Sequence, residues 1–244
     1  MPTTADIVAM SGIKSERPSH RESFRSILQE GSSLLIIEKS KFIAYAAPAL
    51  DESEAIAFVE RIRKKHYDAT HNVPVYIAGA SYKFSDDGEP SGTAGAPILD
   101  MLRHENIRNV AIVVTRYFGG IKLGTGGLVR AYTAAAKQVL YELGMVTNDH
   151  YMHCRLDVPY HLHGRIENLI RSREDVLLRD VAFTDIVRLE VYVPPPVLEE
   201  FQTQITDASH ATVAVECCGE QFLSTREGEV LGEYHRLLGE RNGA

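Results

Sequence analysis

Residues 110–115 are apolar without alternation, and they run straight into Arg116, Tyr117, Phe118, Gly119, Gly120, Ile121, Lys122, Leu123, Gly124, Thr125, Gly126 and Gly127. An unbroken apolar run predicts a strand covered on both faces. Beyond the string, Leu128, Ala131, Tyr132, Ala135, Val139 and Leu143 keep helical spacing over 128–143, and Gly144 is placed to end that helix. Five glycines therefore lead from a buried strand to a helix start. Such an end presents unpaired N–H groups and a partial positive charge, and Arg116, Lys122 and Arg130 add full charges. One reading is an anion site, above all for phosphate, built from Arg116, Tyr117, Gly119, Gly120, Lys122, Gly124, Thr125, Gly126, Gly127 and Arg130. The other is that the glycines serve tight turns and close helix packing. The spacing matches neither G-x-G-x-x-G nor G-x-x-x-x-G-K-[ST], so no nucleotide fold follows from motif alone.

Upstream, short apolar runs at 34–38 and 42–47 predict two strands split by a charged turn. Asp51, with Glu54 three residues on, caps a helix to 65, and 73–80 predicts a strand. Residues 85–95 are turn-rich, and Pro97 opens a helix over 98–104. Downstream, strands at 150–158, 176–183, 186–193 and 211–217 alternate with helices at 160–170 and 197–208. That order, β-α-β-β-α-β, is the ferredoxin-like pattern. Its good strand aromatics are Phe183 and Tyr192, and Cys217 and Cys218 read as small apolar fillers at a strand end.

Charge divides the chain at the same place. Residues 31–148 carry 13 Lys and Arg against 12 Asp and Glu; residues 149–244 carry 9 against 17, and no lysine. The expected organisation of the 244 residues is a flexible extension at 1–30, a first domain at 31–146, a ferredoxin-like domain at 149–218 and a tail at 219–244, helical near 230–238. No apolar run approaches the roughly 18 residues of a membrane span. The first twenty residues lack a signal-peptide core, and three cysteines show no zinc spacing, so a reduced cytoplasmic setting is expected. The net charge of −7 argues against a DNA-coating protein and leaves room for a local basic face.

Two strings carry a family resemblance. Ser85, Asp86, Asp87, Gly88, Glu89, Pro90, Ser91, Gly92, Thr93, Ala94 and Gly95, and then Arg116 through Tyr132, resemble the signature of the IMPACT / YigZ family. Ser40-Lys41-Phe42 and Ala69-Thr70-His71-Asn72 match its earlier motifs in order, so the resemblance spans about 33–144. It implies an α+β protein whose N-terminal domain is the α/β sandwich of the ribosomal-protein-S-five second-domain type, shared with domain IV of elongation factor G. It also implies a C-terminal ferredoxin-like domain similar to domain V of that factor. Eukaryotic members inhibit activation of a translation-control kinase by binding its activator. Many relatives carry a cysteine where this chain has Val73, so a thiol nucleophile beside His71 is not available here.

The acidic loop is the second part of the candidate cleft, with His71, Asn72, Asp86, Asp87, Glu89, Ser91, Gly92 and Thr93. Three carboxylates within four residues suit a hard cation, but turn formation, helix capping or pairing with Arg116 is the simpler use, so no metal and no cofactor is expected. His66 and His71, with Asp68 between, suit structural hydrogen bonding better than acid–base work. No Ser–His–Asp order or G-x-S-x-G elbow is present, and the balance is against an enzyme. The expected function is a translation-linked regulatory or binding protein whose glycine-rich, basic site takes nucleic acid or phosphate, with Lys83 assisting. The alternatives are an enzyme acting on a small phosphorylated substrate and a protein-interaction regulator of a translation factor. The expected partners are RNA or the ribosome, or a translation-control protein, with no membrane.

Overall fold

The computed structural model describes residues 23–239. Strands β2 (Gly31–Ile37), β3 (Ser40–Pro48), β4 (His71–Ala78), β5 (Ser81–Phe84) and β6 (Val110–Tyr117) form an antiparallel sheet in the order β2-β3-β6-β4-β5. Helix α1 (Glu52–Lys65) covers one face, and α2 (Gly95–His104) and α3 (Gly124–Leu143) cover the other. This explains the unalternated run of β6. Val110, Ile112 and Val114 enter the core under α2 and α3, while Ala111 and Val113 enter the core under α1. Asp51 caps α1 by accepting from the Glu54 N–H at 2.9 Å, and Glu54 reaches back to the Leu50 N–H at 2.8 Å.

Strand β7 (Met145–Val158) leaves α3 and starts the second unit, with α4 (Tyr160–Arg171), β8 (Leu177–Phe183), β9 (Val187–Val193), α5 (Leu198–Ser209) and β10 (Glu216–Arg226). The strand order β10-β7-β9-β8 is antiparallel throughout and places the first strand between the third and fourth, as the ferredoxin-like pattern requires. Helices α4 and α5 close one face, with Phe201 and Ile205 of α5 packed in one core with Leu156, Leu189 and Val191. Tyr192 lies on the other face beside Tyr151 and His153, whereas Phe183 stands exposed.

Three expectations change. The last strand is not 211–217 but β10, and it runs through the expected tail into β11 (Glu229–Glu233) and α6 (Tyr234–Gly239). The continuation runs through Gly219, where the expected tail begins. It sits at φ +151 beside a bulge between Cys217 and Gly219, so the strand bends and continues. Within the expected extension 1–30, residues 24–27 form β1 (Phe24–Ile27), paired with the start of β7, while 1–22 lie outside the described residues. Cys217 and Cys218 are exposed rather than buried, and only Cys154 is buried.

Candidate anion-binding site

The two motifs meet at Glu89. This carboxylate is buried between the sheet and α3, where Arg116 of β6 donates to Oε1 at 2.6 Å and Tyr132 of α3 donates to the same oxygen at 2.7 Å. His71 Nε2 stands 3.7 Å away. Burial and the adjacent Glu89 push the Tyr132 phenol far above its ordinary pKa, so it stays a donor. Arg116 is 5% exposed; its guanidinium lies against the rings of Phe42 and Phe118, at 5.3 and 5.5 Å.

The other carboxylates are equally committed. Asp86 accepts from the Gly92, Ala94 and Gly95 N–H groups at 2.8, 3.1 and 2.8 Å, so it caps α2 from eight or nine residues upstream. Asp87 accepts from the Asn72 N–H at 2.6 Å and from Arg63 at 3.2 Å. Its carbonyl receives His71 Nδ1–H at 2.7 Å, which fixes that tautomer. Asn72 is buried, donating to the His66 carbonyl and accepting from Thr115. Thr93 is buried and donates to the Pro90 carbonyl; Ser91 and Gly92 are exposed. The acidic loop is therefore fastened at every carboxylate. Among the described residues no group of three or more ligating side chains is placed to hold a metal ion.

The glycine string divides into two parts. Gly119 donates to Ser40 Oγ at 3.1 Å and lies so close to the β2–β3 turn that a Cβ there would overlap the Lys39 carbonyl. That glycine serves close packing. Helix α3 begins at Gly124, four residues before its apolar stripe, so Gly124, Thr125, Gly126 and Gly127 form its first turn rather than a loop. Leu123 and Leu128 pack into the core on either side and override the low helix propensity of glycine. No side chain caps this end, and Gly124, Thr125 and Gly126 are exposed. Gly120 and Lys122 are exposed just before it. The Arg130 guanidinium folds back towards Gly126. Neither Lys122 nor Arg130 makes an ion pair among the described residues.

Lys39 and Lys41, exposed at the turn that Gly119 abuts, join this rim. So do Lys64 and Lys65 at the end of α1, since the adjacent His66 bonds to Tyr117. Tyr67, Phe118 and Ile121 are exposed on the same turns. Sequence reading missed all seven as site residues. The lysines signal themselves only as charges flanking turns, and nothing in the sequence says that three separate turns converge. Lys83 lies elsewhere, opposite Tyr76, five residues and roughly 17 Å along β4 from His71.

Tyr117 is half-buried and belongs to a hydrogen-bonded relay that runs from buried Tyr45 and His66 to exposed Asp68. Tyr117 Oη donates to Asp68 at 3.0 Å and accepts from His66 Nδ1–H at 2.9 Å, and Tyr45 Oη donates to His66 Nε2 at 2.8 Å. Burial, with Lys65 beside it, holds the His66 pKa below its ordinary value against the pull of Asp68. Unfolded histidine takes its proton near pH 6.5, but folded His66 only at lower pH. The stabilisation is thus fully present above about pH 6.5 and is lost as pH falls below it. Urea midpoints at pH 8 and pH 5.5 should show a larger acid loss in the wild type than in His66→Gln; equal losses would contradict the relay.

Residues 38–140 match the Impact N-terminal domain, and 156–212 match a domain of unknown function, DUF1949. The chain is 38% identical over 191 residues to IMPACT family member YvyE of Bacillus subtilis (strain 168), covering 77% of this chain and 88% of that one. It is 36% identical over 182 residues to IMPACT family member YigZ of Escherichia coli (strain K12), covering 72% and 89%. A crystal structure of a protein described as hypothetical superposes with a TM-score of 0.50 at 33% identity, over 81% of this chain and 98% of that chain.

Proposed function

Because this chain belongs to the IMPACT family, we propose that it is a noncatalytic, translation-linked binding protein that holds a polyanion, the backbone of a nucleic acid, at the rim formed by Lys122, the first turn of α3 and Arg130. The observation that carries the reading is an exposed helix start with no side-chain cap, flanked by two cations without ion pairs among the described residues. The link to translation rests on membership of the IMPACT family, whose two-domain layout is expected to resemble two consecutive domains of elongation factor G. Among the described residues no helix is long and apolar enough to cross a membrane. Acid–base chemistry is disfavoured because Asp86, Asp87 and Glu89 are all engaged in holding the fold. The roles first assigned to Arg116, Gly119 and Tyr117 pass to the rim, since Arg116 is held by Glu89, Tyr117 by His66 and Asp68, and Gly119 by the β2–β3 turn.

Phosphate contacts release counterions, so affinity falls with salt in proportion to their number. Each contact to a single strand contributes about 0.7 to the slope of log affinity against log salt. Lys122→Ala/Arg130→Ala should weaken binding of labelled RNA and lower that slope by about 1.4. An unchanged slope in the double variant would place the phosphates elsewhere.

A further inference from the structure

We propose that the rim takes single-stranded nucleic acid in particular, with unpaired bases stacked on Tyr67 and Phe118. This rests on the polyanion reading above and names its ligand. Tyr67 is 86% exposed in the turn between α1 and β4, and Phe118 is 47% exposed at the end of β6. The two turns are tied together. The Phe118 N–H donates to Thr70 Oγ at 3.1 Å, the Thr70 N–H donates to the Arg116 carbonyl at 3.0 Å, and Tyr117 donates to Asp68.

Phe118 is also backed from within. The buried Arg116 guanidinium lies 5.5 Å from its ring centroid and is itself fixed by Glu89, so the outward face of the ring is set in place before any ligand arrives. The three turns joined here, and the end of α1 beside them, also carry the exposed Lys39, Lys41, Lys64, Lys65 and Lys122 together with the exposed Glu38 and Asp68, and the Lys65 ammonium lies 4.7 Å from the Tyr45 ring centroid. Exposed rings set among cations are the combination that binds single strands: lysines follow the phosphates and each ring takes a base face. A duplex hides its base faces and would leave Tyr67 and Phe118 unused. RNA and DNA single strands share the chemistry.

The test is fluorescence anisotropy with labelled oligouridine and oligothymidine of about twelve nucleotides, a duplex of equal length, and inorganic polyphosphate as a competitor without bases. Wild-type protein should bind at least one single strand more tightly than the duplex. Tyr67→Ala/Phe118→Ala should weaken that binding about tenfold or more and leave polyphosphate competition unchanged. Tyr67→Ala alone, at a side chain too exposed to matter for folding, should lose about fivefold or more. Duplex binding as tight as single-strand binding, or undiminished affinity in both variants, would overturn the stacking proposal while polyphosphate binding upheld the polyanion reading. Failure of the wild type to bind any of the polyanions would overturn both.

Discussion

Glu89→Ala should cost about 3–5 kcal/mol of folding stability, read as a fall in the urea midpoint. The carboxylate holds Arg116 and Tyr132 through one oxygen, and all three side chains are buried. Removing it strands a guanidinium that has little water to turn to, and it leaves the Tyr132 hydroxyl without its acceptor. The Arg116 Nε–H already has no partner among the described residues, and the guanidinium's other side-chain acceptor is Ser40 Oγ at 3.5 Å. The double replacement Glu89→Leu/Arg116→Met should recover a large part of the loss, because two apolar side chains of similar volume carry no desolvation debt. A loss below about 1 kcal/mol in Glu89→Ala would show that the acidic loop is not clamped through this pair.

Gly119→Ala has the second large effect. A Cβ at this position would overlap the Lys39 carbonyl carbon and oxygen and the Ser40 nitrogen, all of them backbone atoms that cannot rotate away. The β2–β3 turn would have to move and lose the Gly119 N–H to Ser40 contact. The expected destabilisation is at or above the roughly 3 kcal/mol upper end of ordinary overpacking. Gly126→Ala is the control. Its Cβ would meet only the far end of the Arg130 side chain, and alanine suits a helix better than glycine. A Gly119→Ala protein as stable as the control would mean that the β6 exit does not pack against the turn.

These two expectations show where the sequence was legible and where it was not. The alternation of β6 into two cores follows from an unbroken apolar run, and the α1 cap follows from Asp51 and Glu54, because both signals are local. The ferredoxin-like order was legible for the same reason. The continuation of β10 past residue 218 was not legible, because a glycine inside a strand and a glycine ending one look alike without the partner strand; only pairing with β7 shows the bulge at Gly219. The glycine string misled in a related way. Gly119 and Gly126 are chemically identical in sequence, yet one is pressed against a neighbouring turn and the other opens a helix in water. The acidic loop was legible in kind, since capping and pairing with Arg116 were its simpler uses. What joined Glu89 to Tyr132 was a contact between residues 43 apart in the chain. The convergence of Lys39, Lys65, Tyr67 and Lys122 on one rim is tertiary as well, and no periodicity announces it.

The most distinctive residues thus hold the fold, and the proposed binding falls to plainer neighbours at the start of α3. Titrating the wild-type protein with a labelled single-stranded RNA at about 50 and 200 mM salt tests this most directly. The account predicts binding at the lower salt that weakens steeply at the higher, with a slope that the Lys122→Ala/Arg130→Ala variant lowers by about 1.4. Absence of binding at low salt, or an affinity indifferent to salt, would contradict it.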